Sequence, residues 1–142
     1  MAAGSQRRPN LLLPLVRITQ YVESAVGRVL AESGLKIEDW RVLDELASRR
    51  GVPMTDLAQA TLITGPTLTR TVDRLVSQGL IYRTADAADR RRVLVALTPR
   101  GRTLRNRLTG AVADAEQSAF EARGLDIGRL QEFVAASAEL TS

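Results

Sequence analysis

Apolar residues recur every three or four positions near the start of the chain and predict a helix from residue 11 or 13 to residue 32. These residues are Leu11, Leu15, Ile18, Val22, Ala25 and Val29. Alternating steps of four and three form a heptad pattern, which is typical of a helix that packs along another helix. A chain of 142 residues forms one domain with a moderate core. Because this helix needs more partner surface than such a core offers, the pattern predicts packing against a second copy of the chain.

Shorter amphipathic segments fill the middle of the chain. Helices are predicted at 37 or 38 to 48 and at 54 to 60, with Trp40 and Leu57 facing inward. A third helix begins near Pro66, which suits a first helical turn, and Gly79 ends it. Strands are predicted at 80–83 and 92–97, joined by a polar loop at 84–91.

Two further helices are predicted to close the chain. Thr98 and Pro99 begin the first, which runs to about residue 123 and carries small side chains on one face. Gly124 ends it, and a last helix follows. The residues predicted to face inward in that last helix are Ile127, Leu130, Phe133, Val134 and Leu140. The elements together predict a mainly α fold with a small β-hairpin.

Positive charge is concentrated in the third helix, the hairpin and the start of the next helix. Residues 66–107 hold ten arginines and three acidic residues, whereas the whole chain has a net charge of only +4. One face of the third helix carries hydroxyl and guanidinium groups, and the hairpin loop ends in arginines. The residues concerned are Thr67, Thr69, Arg70, Thr71, Arg74, Arg90, Arg91 and Arg92. Because an α-helix fits the major groove of duplex DNA, we expect these residues to bind DNA.

The composition bears on three other classes of function: protein-interaction modules, enzymes and metal-binding proteins. A basic stripe also fits a helical interaction module that binds acidic protein partners, and the salt dependence of duplex binding separates the two. The chain has no histidine and no cysteine, which excludes histidine-based catalysis, thiol chemistry and the usual zinc sites. Carboxylate-only metal sites stay compatible with the composition, but we predict no enzyme and no cofactor.

The distribution of apolar residues also bears on location and on domains. No apolar run approaches the roughly 18 residues of a membrane span, and the N-terminus lacks a signal-peptide cleavage pattern. We therefore expect a cytoplasmic protein with no membrane partner. Residues 1–9 are expected to be a flexible N-terminus, and residues 10–142 a single domain.

A motif in the hairpin resembles a known family. Asp89-x-Arg91, then Leu97-Thr98 after five residues, and Gly101 after two more resemble the wing-to-helix signature of the MarR (multiple antibiotic resistance regulator) family. Other pieces follow the family's order. They are Trp40-Arg41-Val42-Leu43, Leu57-Ala58, Thr67-Leu68-Thr69-Arg70, Asp73-Arg74-Leu75 and Gly79-Leu80. The resemblance extends over residues 35–105.

The resemblance implies a winged helix-turn-helix regulator that binds a pseudo-palindromic duplex operator as a homodimer and represses transcription. It implies dimerisation helices at 10–34 and 99–142, and a DNA-binding region at 37–98. In the family pattern Asp89 braces Arg91 by an ion pair, and the wing arginine enters the minor groove.

The resemblance also implies a small aromatic or phenolic effector, bound between the terminal helices and the winged region. Tyr21 and Trp40 are then candidate ligand contacts, and Arg17 and Arg41 are candidate partners of a carboxylate. Core packing explains Trp40 equally well.

Overall fold

Within residues 10–138, the part of the chain that the computed structural model describes, there are six helices and three short strands. The helices are α1 (Leu12–Ala31), α2 (Ile37–Ala47), α3 (Met54–Thr61), α4 (Gly65–Ser77), α5 (Pro99–Glu121) and α6 (Ile127–Ala138). The strands are β1 (Val52–Pro53), β2 (Ile81–Ala85) and β3 (Val93–Leu97). The predicted helices and hairpin are confirmed to within two residues. The expected N-terminal segment 1–9 and the inward position predicted for Leu140 lie outside the described residues.

The three strands form one antiparallel sheet in the order β1-β3-β2. The central strand β3 pairs Val95 with Val52 of β1 and with Arg83 of β2. The sequence predicted only the β2–β3 hairpin. A strand of two residues has no alternating pattern to detect, because tertiary packing sets its pairing.

The apolar face of α4 packs into a core that it shares with α2, α5 and the sheet. Leu68, Val72 and Leu75 are buried there. Val42 of α2 and Val95 of β3 belong to the same core. This packing fixes α4 with its opposite face turned to solvent.

The terminal helices bury only part of their apolar surface. α1 packs mainly along α5, and its C-terminal half buries Val26 and Leu30. Large apolar side chains near the start of α1 and in α6 are exposed in the single chain. They are Leu11, Leu12, Leu13, Leu15, Val16, Phe133 and Val134. The prediction that Phe133 and Val134 face inward is wrong for the single chain, because no described element covers them.

Thr98 joins three elements where the hairpin ends and α5 begins. Its hydroxyl donates to the Gly79 carbonyl at 2.7 Å and accepts from the Gly101 amide at 3.0 Å. Its own amide donates to the Leu80 carbonyl at 3.1 Å. A Cβ on Gly101 would stand 1.9 Å from the Leu80 carbonyl oxygen, so no larger residue fits without movement of the backbone. The pattern Leu97-Thr98-x-x-Gly101 therefore fixes the end of α4 against the start of α5.

Candidate nucleic-acid interface

Polar side chains cover the exposed face of α4 in its N-terminal half. Thr69 and Arg70 are exposed, and Nε of Arg70 donates to the Pro66 carbonyl at 3.3 Å. Thr67 is half-buried, and its hydroxyl accepts from the Thr64 hydroxyl at 3.2 Å. Unpaired amides in the first turn of a helix favour anions. Thr67, Thr69 and Arg70 therefore lie beside a helix end that suits a phosphate.

Thr71 does not lie on this exposed face, so its predicted placement is wrong, and Arg74 is only partly exposed. Thr71 is 3% exposed. Arg74 donates to the carboxylate of Asp39, which is fully buried at the start of α2. The periodicity of α4 cannot show that α2 packs beside it. Thr71 follows Leu68 by three residues and precedes Leu75 by four, so the spacing itself marked a core position.

Three adjacent arginines stand at the tip of the hairpin. Arg90, Arg91 and Arg92 are exposed, and none of them forms an ion pair within residues 10–138. The amide of Asp86 donates to the Arg92 carbonyl at 3.0 Å and closes the base of the loop. The loop thus presents three uncompensated cations on a hydrogen-bonded backbone.

Asp89 holds this loop through the backbone. Its Oδ1 accepts from the amide of Arg91 at 3.0 Å, and its carbonyl accepts from the amide of Arg92 at 3.0 Å. The predicted ion pair between the Asp89 and Arg91 side chains does not occur in the described chain, so that part of the prediction is wrong. A carboxylate that binds the amide two residues later fixes the turn and leaves the guanidinium free.

Other arginines of the basic segment are neutralised by acidic partners. Arg83 pairs with Asp73, an exposed residue of α4, and Arg105 pairs with Asp44 at 2.6 Å. The first pair joins β2 to the exposed face of α4, one turn from Arg70. The uncompensated arginines of α4 and the hairpin loop are Arg70, Arg90, Arg91 and Arg92, which we call the basic surface. A polyanion could neutralise the charge of this surface.

Two adjoining cavities are lined by residues of the terminal helices. The Trp40 cavity has a volume of about 540 Å³ and is bounded by α1, α2, the end of α3, α5 and α6. The Tyr21 cavity has a volume of about 490 Å³ and lies between α1 and the end of α5. Ile18, Val22 and Phe120 line both cavities. A ligand in either cavity would therefore contact the terminal helices.

The four predicted ligand contacts are divided between these cavities. Trp40 and Arg41 line the first, whereas Arg17 and Tyr21 line the second. Arg41 is paired with Glu23. The Arg123 guanidinium lies 4.2 Å from the centre of the Tyr21 ring, a cation–π distance. The candidate contacts thus line two adjoining cavities, and Arg41 already has a carboxylate partner within the protein.

Glu116 of α5 is a cavity residue that the sequence did not single out. It lines the Trp40 cavity together with Asp44 of α2. Burial raises the pKa of the Glu116 carboxyl, and the Asp44 carboxylate raises it further. Glu116 follows Val112 by four residues and precedes Ala119 by three, so its place in the apolar stripe of α5 was the available signal.

Within residues 10–138, no three His, Cys, Asp or Glu side chains are grouped so as to hold a metal ion. No helix in that part of the chain is both long and apolar enough to span a bilayer.

Several proteins of known class are similar to this chain. Residues 33–92 match the sequence profile of the MarR family. The homoprotocatechuate degradative operon repressor of Escherichia coli is 26% identical over 106 residues, which cover 75% of this chain and 72% of the repressor. The HTH-type transcriptional regulator PecS of Dickeya dadantii (strain 3937) is 32% identical over 98 residues, which cover 66% of this chain and 58% of PecS.

The fold also matches solved structures. BpsR from Bordetella bronchiseptica, whose DNA binding is regulated by 6-hydroxynicotinic acid, is 26% identical to this chain. The superposition covers 100% of this chain and 98% of BpsR, with a TM-score of 0.79. The fold match confirms the predicted winged-helix class, and the regulators among these relatives confirm the prediction of a regulator and not an enzyme. The profile match over residues 33–92 and the relatives in sequence and fold thus support a regulator of the MarR family.

Proposed function

We propose that this protein is a repressor that binds a pseudo-palindromic duplex operator as a homodimer and leaves it when a small aromatic or phenolic effector binds. The observation that carries the proposal is the basic surface. Its arginines have no ion-pair partner in the described chain, whereas Arg74, Arg83 and Arg105 are each paired with an acid. Free charge is thus retained on the helix face and the loop that a winged helix presents to DNA.

On DNA, α4 acts as the recognition helix and enters the major groove. Arg70 pairs with a guanine edge or with a phosphate, while Thr67 and Thr69 contact the backbone. Arg90, Arg91 and Arg92 reach the minor groove, where a narrow groove concentrates negative potential. The pair between Arg83 and Asp73 supports this arrangement, because it ties the hairpin to the face of α4 that carries Arg70.

The exposed apolar side chains support a homodimer. Leu12 and Phe133 have 73% and 64% of their surface exposed in the single chain. A stable monomer seldom leaves so many neighbouring apolar side chains in water. A dimer made by the terminal helices would place two recognition helices on successive turns of the duplex, which requires a pseudo-palindromic site.

The Trp40 cavity is the proposed effector site. It contacts α2, the end of α3 and Leu62, which leads into the recognition helix. Leu62 has a left-handed backbone conformation with φ of 55° and is almost fully exposed. A leucine in that region is strained, so a ligand beside it can shift the turn before α4 at low cost. The regulation of BpsR by an aromatic acid and the repressor role of the Escherichia coli relative support this proposal.

Duplex binding tests the proposal directly. The purified protein should protect a segment upstream of its own gene in footprinting, and its affinity should fall steeply with salt, as expected for several phosphate contacts per subunit. A random duplex of the same length serves as the control. Equal affinity for the two duplexes would contradict a specific operator. The absence of duplex binding would favour the alternative of an interaction module for acidic proteins.

A further inference from the structure

The Trp40 cavity is acidic as well as apolar. Four carboxylates line it, whereas Arg41 is its one basic residue. The carboxylates are those of Glu23, Asp44, Glu45 and Glu116. Arg41 is paired with Glu23 across the gap between α2 and α1. The guanidinium that a carboxylate effector would need is therefore already bound.

Glu116 differs from the other three acids in having no partner. Asp44 pairs with Arg105 at 2.6 Å, and Glu45 pairs with Arg49 at 3.1 Å. Glu116 is half-buried, and its carboxylate makes no hydrogen bond or ion pair within residues 10–138. Burial and the Asp44 carboxylate both raise its pKa, which means that its negative charge is poorly compensated in the protein alone.

The rest of the cavity lining would accept the apolar part of a ligand. Val22 and Val26 of α1, Trp40 of α2 and Phe120 of α5 contribute apolar wall. Ligand sites commonly combine such walls with a few polar groups that fix the orientation of the ligand. Here the free polar group is an acid, so its complement is a cation.

We propose that the Trp40 cavity binds an organic cation, with an aromatic or apolar body against Trp40 and a protonated amine beside Glu116. This inference rests on the proposed function, because it names the chemical class of the effector of that same site. An aromatic carboxylate is disfavoured there. Its charge would meet four carboxylates, and the one guanidinium of the lining is already paired with Glu23.

Three probes that share one phenol ring test the charge preference. They are tyramine, the neutral alcohol 4-(2-hydroxyethyl)phenol and 4-hydroxyphenylacetate. Trp40 is the only tryptophan of the chain and lines the cavity, so its fluorescence reports on this site directly. We expect tyramine to bind at least about tenfold more tightly than the carboxylate, with the alcohol between them. Equal or tighter binding of the carboxylate would overturn the proposal, and so would the absence of a fluorescence change with tyramine at millimolar concentration.

A matched pair of variants assigns the preference to one side chain. Glu116→Gln keeps the size of the side chain and removes its charge, so tyramine affinity should fall by about tenfold while the alcohol binds as before. Asp114→Asn changes an exposed acid on the same helix outside the cavity, and its tyramine affinity should equal that of the wild type. Circular dichroism and melting curves confirm that both variants fold. If the Glu116→Gln variant is folded and binds tyramine as tightly as the wild type, the proposal is wrong.

Duplex binding by the same preparations separates this inference from the proposed function. A protein that binds its operator but does not bind tyramine would overturn only the cation site. A protein that binds tyramine but shows no duplex preference would leave the cation site standing and overturn the repressor.

Discussion

Arg74 of α4 donates a hydrogen bond to the carboxylate of Asp39, which is fully buried at the start of α2. The same carboxylate accepts the Lys36 amide at 2.8 Å and so also caps α2. One buried acid therefore fixes both the first turn of α2 and the position of α4. Arg74 therefore helps to hold α4 against α2. Arg70 has no acidic partner in the described chain and lies on the exposed face of α4.

Replacement of Arg74 should cost stability. Arg74→Ala leaves the Asp39 carboxylate buried without its cation, so the free energy of unfolding should fall by about 1–3 kcal/mol. Urea denaturation followed by circular dichroism measures this change. Arg70→Ala is the matched control, because Arg70 is exposed and its loss should change stability by less than about 0.5 kcal/mol. Equal stability of the two variants would contradict a supporting role for Arg74.

Replacement of Arg70 should instead affect the reading of DNA. Arg70→Ala should weaken operator binding and, if the guanidinium contacts a base, relax specificity at one position per half-site by about 1–3 kcal/mol. Binding to a set of single-base operator variants measures this effect. Arg107→Ala removes an exposed arginine of α5, and it should lower affinity equally for all duplexes. Unchanged operator binding by Arg70→Ala would show that the exposed face of α4 does not meet the duplex.

The hydrogen bond from the Arg91 amide to the Asp89 carboxylate can be tested by two substitutions of Asp89. Asp89→Ala removes the acceptor of the Arg91 amide and should weaken DNA binding, although it deletes an acid from a DNA-facing loop. Asp89→Asn keeps an acceptor oxygen and loses the repulsive charge, so it should bind at least as tightly as the wild type. An ion-pair brace predicts instead that Asn is as harmful as Ala. Titrations at several salt concentrations decide between the two.

Arg91→Ala complements that comparison. It removes one cation of the basic surface and should weaken binding to specific and non-specific duplexes alike. The slope of log affinity against log salt should fall by about one unit per subunit. An unchanged slope would mean that Arg91 stays in solvent in the complex.

Two glycines of α5 should respond to alanine in opposite ways. Gly101→Ala places a Cβ against the Leu80 carbonyl and should destabilise the fold by about 2 kcal/mol or more. Gly110→Ala meets no atom within 4 Å and should stabilise α5 by about 0.5–1 kcal/mol. Melting curves of both variants measure the difference. A tolerated Gly101→Ala would show that α5 can move away from the end of α4.

The proposed dimer can be tested by placing charge on its apolar surface. Leu12→Glu combined with Phe133→Glu should convert a dimer into a monomer, because both carboxylates would be buried in the interface. Light scattering at micromolar concentration should give twice the chain mass for the wild type and one chain mass for the variant. Gln20→Glu, an exposed polar position on α1, serves as the control. A monomeric wild type would contradict both the dimer and the palindromic operator.

The elements could be predicted from the sequence because each depends on local signals. Pro66 and Gly79 marked the two ends of α4, and Thr98 and Pro99 marked the start of α5. Several of the errors concern contacts between distant segments. The pairing of Arg74 with Asp39 depends on α2, thirty-five residues earlier, and no periodicity within α4 reports it.

The candidate effector site was also predicted only in part from the sequence. Trp40 and Arg41 were identified by resemblance, whereas the acids that set the charge of the cavity were not. Glu23, Asp44 and Glu116 come from three different helices, and only the packing of those helices brings them to one cavity. The resemblance singled out the Asp89 side chain for an ion pair, whereas its observed hydrogen bond is to the backbone amide of Arg91.

The hydrogen bonds of Thr98 couple the position of α4 to the orientation of α5. The helix spans 23 residues, which is about 34 Å at a rise of 1.5 Å per residue. Since the Thr98 hydroxyl holds the end of α4 to the first turn of α5, the two helices should turn as one piece. A tilt of about 5° at the far end of such a helix would displace the junction by about 3 Å. In the proposed dimer, the distance between the two copies of α4 would then depend on the angle between the subunits, so DNA affinity could change while every helix stays folded.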